Sequence, residues 1–494
     1  MNREAIHKYI DANKDEHVAN IQEWVRQPSV SWDNIGCEDM AQLAAKTFKK
    51  LGCQEVEVLE GRFHPGVWAV YDAGAPITIH NYAMLDTRTV NAKEWAYDPW
   101  GAEILPLGNY PKVMVGRGAM AAKGPYMTWL NALSSIIAVE GTLPVNIMFL
   151  AENEEIMGSP TYRKFAKEKA GQLKKVDVSF APLASQGLGG VVTMGLGLKG
   201  MTVVELTASG KTWGKGPVNT VHSMVASLVD CPPFRLAQAL ATLTAPDGSG
   251  CAVKGLKKVW DYRKPLTDEE TGLLVTIAKS AEGKDWRDVL PLGGAKNIST
   301  IRGGMDGMDP LVNWLYGPTF NIAGIRSGFL GPMSGTIPYI IPSTATATID
   351  IRLVVEMSPE EIVNALREHL DEHGFTDIDI DVYAAFSHNV TPVSAPASQA
   401  MLKTMEQYNL KYTVWPIEGG GGPWTVIPNM FNVPCIRGGA IGGGTGRPVE
   451  EYYVIEGDSK LAGMTQAEKY LVDLLYNLAE TLNPTNIREN YWQK

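Results

Sequence analysis

The chain has 494 residues, 45% hydrophobic and 20% charged, with a net charge of −10. That is enough apolar material for more than one buried core. No basic stripe appears, which argues against nucleic acid and anionic membrane as partners, and no apolar run reaches the roughly 18 residues of a spanning helix.

The start, MNREAIHKYIDANKDEHVANIQEWVRQPSV, reads as a long amphipathic helix rather than a signal peptide, closed by a turn at Gln27-Pro28-Ser29. A second helix follows through MAQLAAKTFKKLG. Short β-rich runs then alternate with helices: GVWAVYDA, ITIHNYAML, a helix from Gly124 through YMTWLNALSSIIAVEG, VNIMFLAENE, a helix near TYRKFAKEKAG, and VDVSFAPL. Such alternation predicts an α/β core with a mainly parallel sheet. Chemistry in these sheets lies beyond the carboxyl ends of the strands, where MLD, AENEE and FAPL fall.

Near residue 200 the pattern changes. KGMTVVELTASG opens a segment with long loops, a helix at PPFRLAQALATL, the strands PTFNIAGI and TATATIDIRLVV, and a helix at SPEEIVNALREHL. The alternation in ATATIDIRLV predicts a half-exposed antiparallel strand. We therefore expect a core from 1–199 and 388–494, interrupted by a smaller α+β lid over 200–387. The tail returns to α/β, with a helix at ASQAMLKTMEQYN, the loop EGGGGPW, the run NVPCIRGGAIGGGTGRPVEE and a closing helix from about 458 to 482. The glycine-rich loops carry no nucleotide fingerprint. Five scattered cysteines (37, 53, 231, 251, 435) without a CxxC pair predict reduced thiols and a cytoplasmic protein.

Three stretches together, GRGAMAAKGP (116–125), FLAENEEIMGSP (149–160) and TVHSMVASLVDCPP (220–233), resemble the aminoacylase/carnosinase-type family of two-zinc peptidases. PTFNIAGI (318–325), GTIPYIIPSTATATIDIRL (335–353) and EGGGGP (418–423) match further family segments in order. The resemblance implies a metal-binding α/β core and a lid that often dimerises.

The same resemblance implies five metal-ligand positions, and none holds a usual zinc donor here. They read Met84, where a His-x-Asp motif would place its histidine before Asp86, then Ala121, Ile156, Ala181 and Gly446. Zinc needs N, O or S⁻ donors, and a thioether suits softer metals. Neighbouring His80, Glu152 and Glu154 are candidates to rebuild a weak site. Other family positions are kept. The resemblance implies Glu155 as general base and Asp86 as its support, with Lys123 beside it. It also implies His222 as the group that polarises the substrate carbonyl, and Asn321 and Arg352 as substrate-holding residues of the lid. In the loop EGGGGP the resemblance implies an Arg and a Ser where this chain has Ile417 and Gly421, which alters carboxylate recognition there, while Gly420 and Gly421 still offer backbone N–H donors to an anion.

The leading expectation is a metal-independent, cofactor-free enzyme. Glu155, His222 and Asp86 would work in a pocket lined by Met84, Ala121, Ile156, Ala181 and Gly446. Its substrate would be a small carboxylate-bearing amino-acid-like or amide molecule, held by Arg352, Asn321, Gly420, Gly421 and Lys123. Hydrolysis, elimination and isomerisation stay open. A non-catalytic binding protein and an amidohydrolase with relocated ligands are the alternatives. A homodimer through the lid is expected.

Overall fold

The computed structural model describes residues 2–246, 250–260, 265–302, 304, 307–328, 339–354, 357–446 and 449–482. The family-like residues 335–338 lie outside this set.

An eight-stranded mixed sheet forms the centre of the core. Its middle is parallel: Asn146–Glu152, Thr78–Met84, Val178–Ala181 and Cys435–Gly438 run side by side in one direction. Antiparallel strands Glu55–Leu59 and Gly66–Tyr71 close one edge. Val192–Gly195 turns back against Cys435–Gly438 and pairs in parallel with Tyr412–Trp415 at the other edge. Every residue of Thr78–Met84 is buried, as a strand covered on both faces requires. The helix Lys123–Glu140 is apolar on most of its circumference and runs through the interior. It ends where Gly141 takes φ 82°, donating its N–H to the Ile137 carbonyl.

The lid sheet has four antiparallel strands in the order Thr319–Ser327, Thr344–Leu353, Gly200–Ser209, Asp379–Phe386. Along Thr344–Leu353 buried and less buried residues alternate, the expected period of two. The buried face packs on the helices Pro232–Leu243 and Pro359–Glu372. The latter starts with a capping box between Ser358 and Glu361. The chain crosses between core and lid twice, and the crossings pair: Gly197–Leu198 lies antiparallel to Asn389–Val390.

Several elements differ from expectation. The first helix is two, Arg3–Ala12 and Lys14–Arg26, because the Asn13 side chain bonds back to the Tyr9 carbonyl and caps the first. The closing helix begins late, at Met464. Asp458 accepts the N–H groups of Lys460 and Leu461, and so holds that stretch as a turn. A second small sheet, Glu103–Leu107, Tyr110–Val115, Tyr452–Glu456 and Gly444–Thr445, went unread in the sequence.

Trp129 on the interior helix is fully buried and meets Phe180 edge-on at 5.2 Å. Trp129→Ala should therefore destabilise the core by about 3–5 kcal/mol, the usual loss for a buried tryptophan. Urea titration against the wild type measures it.

Candidate functional site

The carboxyl ends of the parallel strands meet on one side of the sheet. Met84 stands opposite Glu152, and Asn81 opposite Phe180. A cavity of about 650 Å³ opens beyond them, lined by Met84, Ala121, Ile156 and Gly446 together with Glu155 and Gly420. Four of the five inferred ligand positions thus share one wall. Ala181 does not line it and is fully buried in the apolar cluster beneath.

Asp86 sits two residues past its strand, fully buried. It accepts the Ser31 hydroxyl at 2.7 Å and the backbone N–H groups of Glu155 at 3.1 Å and Ile156 at 2.9 Å. It therefore positions the turn that carries Glu155 and does not face the cavity itself. Burial, with the nearby Glu155 charge, pushes its pKa up to about 7. Burial also raises Glu155, while Arg88 and Arg437 oppose the shift.

The other expected groups part company. Lys123 is fully buried away from the cavity, and its Nζ donates to the Gln27 carbonyl at 2.5 Å. Burial lowers its pKa to about 7, and it serves to pin the N-terminal turn. Arg352 pairs with Asp350 on its own strand at 3.1 Å and does not line the cavity. Asn321 is exposed on the edge strand of the lid. His222 is also exposed, its Nδ1 accepting the Met224 N–H at 3.0 Å. Gly421 packs on Met201, where a Cβ would stand 2.9 Å from the methionine's own. A single chain therefore brings Glu155 to the cavity but leaves His222, Asn321 and Arg352 outside it.

The residues present do not fit a two-zinc centre. His80 is buried, held by Ser179 at 2.8 Å and Tyr162 at 3.0 Å, and burial lowers its pKa to about 3. Glu152 accepts the hydroxyls of Tyr82 and Ser159. Glu154 accepts the N–H groups of Phe63, His64 and Thr161. Among the described residues no three His, Cys, Asp or Glu side chains gather as a metal would need.

The structure adds residues that the sequence reading missed. Arg117 and Glu451 form a buried ion pair at 2.7 Å. Glu451 also accepts the N–H groups of Met120 and Ala121, fixing the loop beside the inferred ligand position. Arg437 pairs with Glu418 and stacks on Trp424 at 5.0 Å. Trp314 and Trp415 meet edge-on at 5.5 Å in the same wall. An arginine inside the apolar run NVPCIRGG was the available signal for Arg437.

Residues 197–377 match the family model described as "Peptidase dimerisation domain". The Beta-Ala-His dipeptidase of Homo sapiens is 27% identical over 394 residues, 75% of this chain and 71% of that one. A Cys-Gly metallodipeptidase of Schizosaccharomyces pombe is 26% identical over 389 residues, 75% of this chain and 76% of that one. Over three quarters of its length the chain is thus similar to carnosinase-type dipeptidases. Solved folds agree. A metallo-carboxypeptidase of Sulfolobus solfataricus superposes with a TM-score of 0.75 at 24% identity, over 94% of this chain and 99% of that one. The di-peptidase Dug1p of Saccharomyces cerevisiae gives 0.74 at 18%, over 98% and 100%. Within this carnosinase-type fold, four of the five inferred metal positions line one apolar wall.

Asp86 gives a pH prediction. Its folded pKa, about 7, lies above its ordinary value of 3.8. The folded state therefore keeps a proton that the unfolded chain has released. The stability this confers is complete below about pH 4 and is lost as pH rises through about 7. Denaturant midpoints across this window should fall with pH in the wild type, and less steeply in Asp86→Asn.

Proposed function

We propose that this chain is a metal-independent acid–base enzyme of the peptidase fold, acting on a small carboxylate-bearing amino-acid-like or amide substrate. The observation that carries it is Glu155. It is the inferred general base, it lines the cavity, and it stands among side chains that offer zinc no ligand set. Desolvation raises its pKa and makes it a stronger base than an exposed glutamate. Its carboxylate would take a proton from a water or from the substrate, while Asp86 keeps its turn in place. The relatives' names favour hydrolysis of a peptide-like amide among the open reactions. No cofactor enters this reading. The free cysteines agree with a cytoplasmic setting.

A homodimer completes the proposal, with residues 200–387 as the association unit and 1–199 with 388–494 as the core. The segment that carries His222 exposes Val218 (66%), Met224 (78%), Leu228 (84%) and Phe234 (72%), which is unusual apolar exposure for a free surface. Joining two lids there would cover these side chains and offer His222 to a facing copy as the acid or oxyanion donor.

Two measurements test this function. Purified protein should contain far less than one zinc per chain, and chelator should leave the rate of small-amide turnover unchanged. Glu155→Gln should lower that turnover roughly 10²–10⁴-fold, while ligand binding survives. The acid limb of the wild-type pH–rate profile should lie above the ordinary glutamate value of 4.5. A fully active Glu155→Gln enzyme would leave a purely structural carboxylate. For assembly, Leu228→Asp with Phe234→Asp should turn a dimer into a monomer by light scattering and lower activity with it. A monomeric wild type at micromolar concentration would remove the shared site.

A further inference from the structure

We propose that Arg437, and not Arg352, receives the substrate's carboxylate, and that the substrate carries an aromatic or bulky apolar group beside that carboxylate. The inference rests on the small-carboxylate reading above and names the residue and the substrate class.

Besides Arg88, which is exposed, the charged groups of the cavity sort by what they already hold. Arg117 and Glu451 hold each other and the 120–121 backbone. Arg352 stands outside and is engaged by Asp350. Arg437 lines the cavity on the strand Cys435–Gly438, its Cα opposite Ala181, one of the inferred ligand positions. Its guanidinium has five N–H donors. Among the described residues its charged partner is Glu418, which meets Nη2, and no side-chain hydrogen bond engages Nε or Nη1. Trp424 supports one face of the guanidinium, which fixes the plane of the fork. The Trp424 Nε1–H is itself buried without a partner, and a buried donor left unpaired costs stability until something accepts from it. Arg437 and Trp424 thus present N–H donors to the cavity beside a single carboxylate, Glu418, and a substrate carboxylate would share the guanidinium fork with it. Glu155 feels the positive charge of Arg437, so the receptor and the base share one cavity.

The apolar part follows from the wall. Trp314 comes from the helix Asp309–Tyr316 of the inserted segment and Trp415 from the core strand Tyr412–Trp415. Trp314 lies so close to the chain that a Cβ on Gly419 would stand 2.5 Å from its indole nitrogen. With Trp424, Met84 and Met120 in the same lining, an aromatic or branched group fits this surface better than a polar one.

The test uses two probes that differ only in charge, N-acetyl-L-phenylalanine and N-acetyl-L-phenylalaninamide, with calorimetric binding to the full-length protein. The wild type should bind the acid at least about tenfold more tightly than the amide, the range of a charge-assisted hydrogen bond. Arg437→Gln should erase that preference and leave amide binding as it was. Arg352→Ala should keep the preference. Thermal unfolding checks that Arg437→Gln folds. Should it not, Arg437→Lys keeps the charge without the fork and should weaken acid binding severalfold while the amide is unaffected. A preference that survives both Arg437 variants, one that disappears in Arg352→Ala, or no preference in the wild type overturns the proposal. Glu155→Gln separates this from the catalytic reading: it should bind the acid as the wild type does, whatever its turnover.

Discussion

Asp86 takes hydrogen bonds from two distant parts of the chain, the Ser31 hydroxyl near the N-terminus and the backbone of the turn after Asn146–Glu152. A fully buried carboxyl group is costly unless its oxygens are satisfied, and here three donors satisfy it. The position of Glu155 follows from that arrangement, because the N–H groups given to Asp86 belong to Glu155 and its neighbour. Glu154, one residue earlier, is spent on the N–H groups of Phe63, His64 and Thr161. The turn is therefore gripped from both sides, and the one acidic side chain it presents to the cavity is Glu155.

On the proposed reading, the centre of the cavity works by a different electrostatics from that of a two-metal site. Two dications would hold nearby carboxylates ionised. In this chain methionine, alanine, isoleucine and glycine occupy the positions that would hold them, and the remaining carboxyls are pushed toward protonation by burial. The positive charge that remains is carried by arginines, which donate directional hydrogen bonds and do not coordinate oxygen as a metal does. Such a site suits proton transfer and anion recognition better than the activation of a metal-bound water.

Much of the fold was legible because its periodicities are plain. The lid strand Thr344–Leu353 alternates as written, and the core strands in ITIHNYAML and VNIMFLAENE lack that alternation because both their faces are covered. The positions of Glu155 and the apolar wall came from motif register, which is local. The partners of side chains were not legible. Nothing in the sequence near Arg352 says that Asp350 claims it. Nor does the neighbourhood of Lys123 reveal that its amine reaches Gln27, nearly a hundred residues earlier. Arg437 on its strand meets Glu418 and Trp424, both from the loop EGGGGPW, through a packing that the local sequence does not announce.

The paired crossing of Gly197–Leu198 with Asn389–Val390 has a mechanical consequence. Two single linkers would let the inserted segment swivel freely, whereas two strands bonded to each other bend as one strap and favour a single direction of swing. Trp314 packs beside that strap, in the cluster that also holds Val390 and Trp415, and rests on Gly419. A rotation about the strap is therefore felt at the cavity wall itself, because the contact of the two indoles lies between the inserted segment and the core.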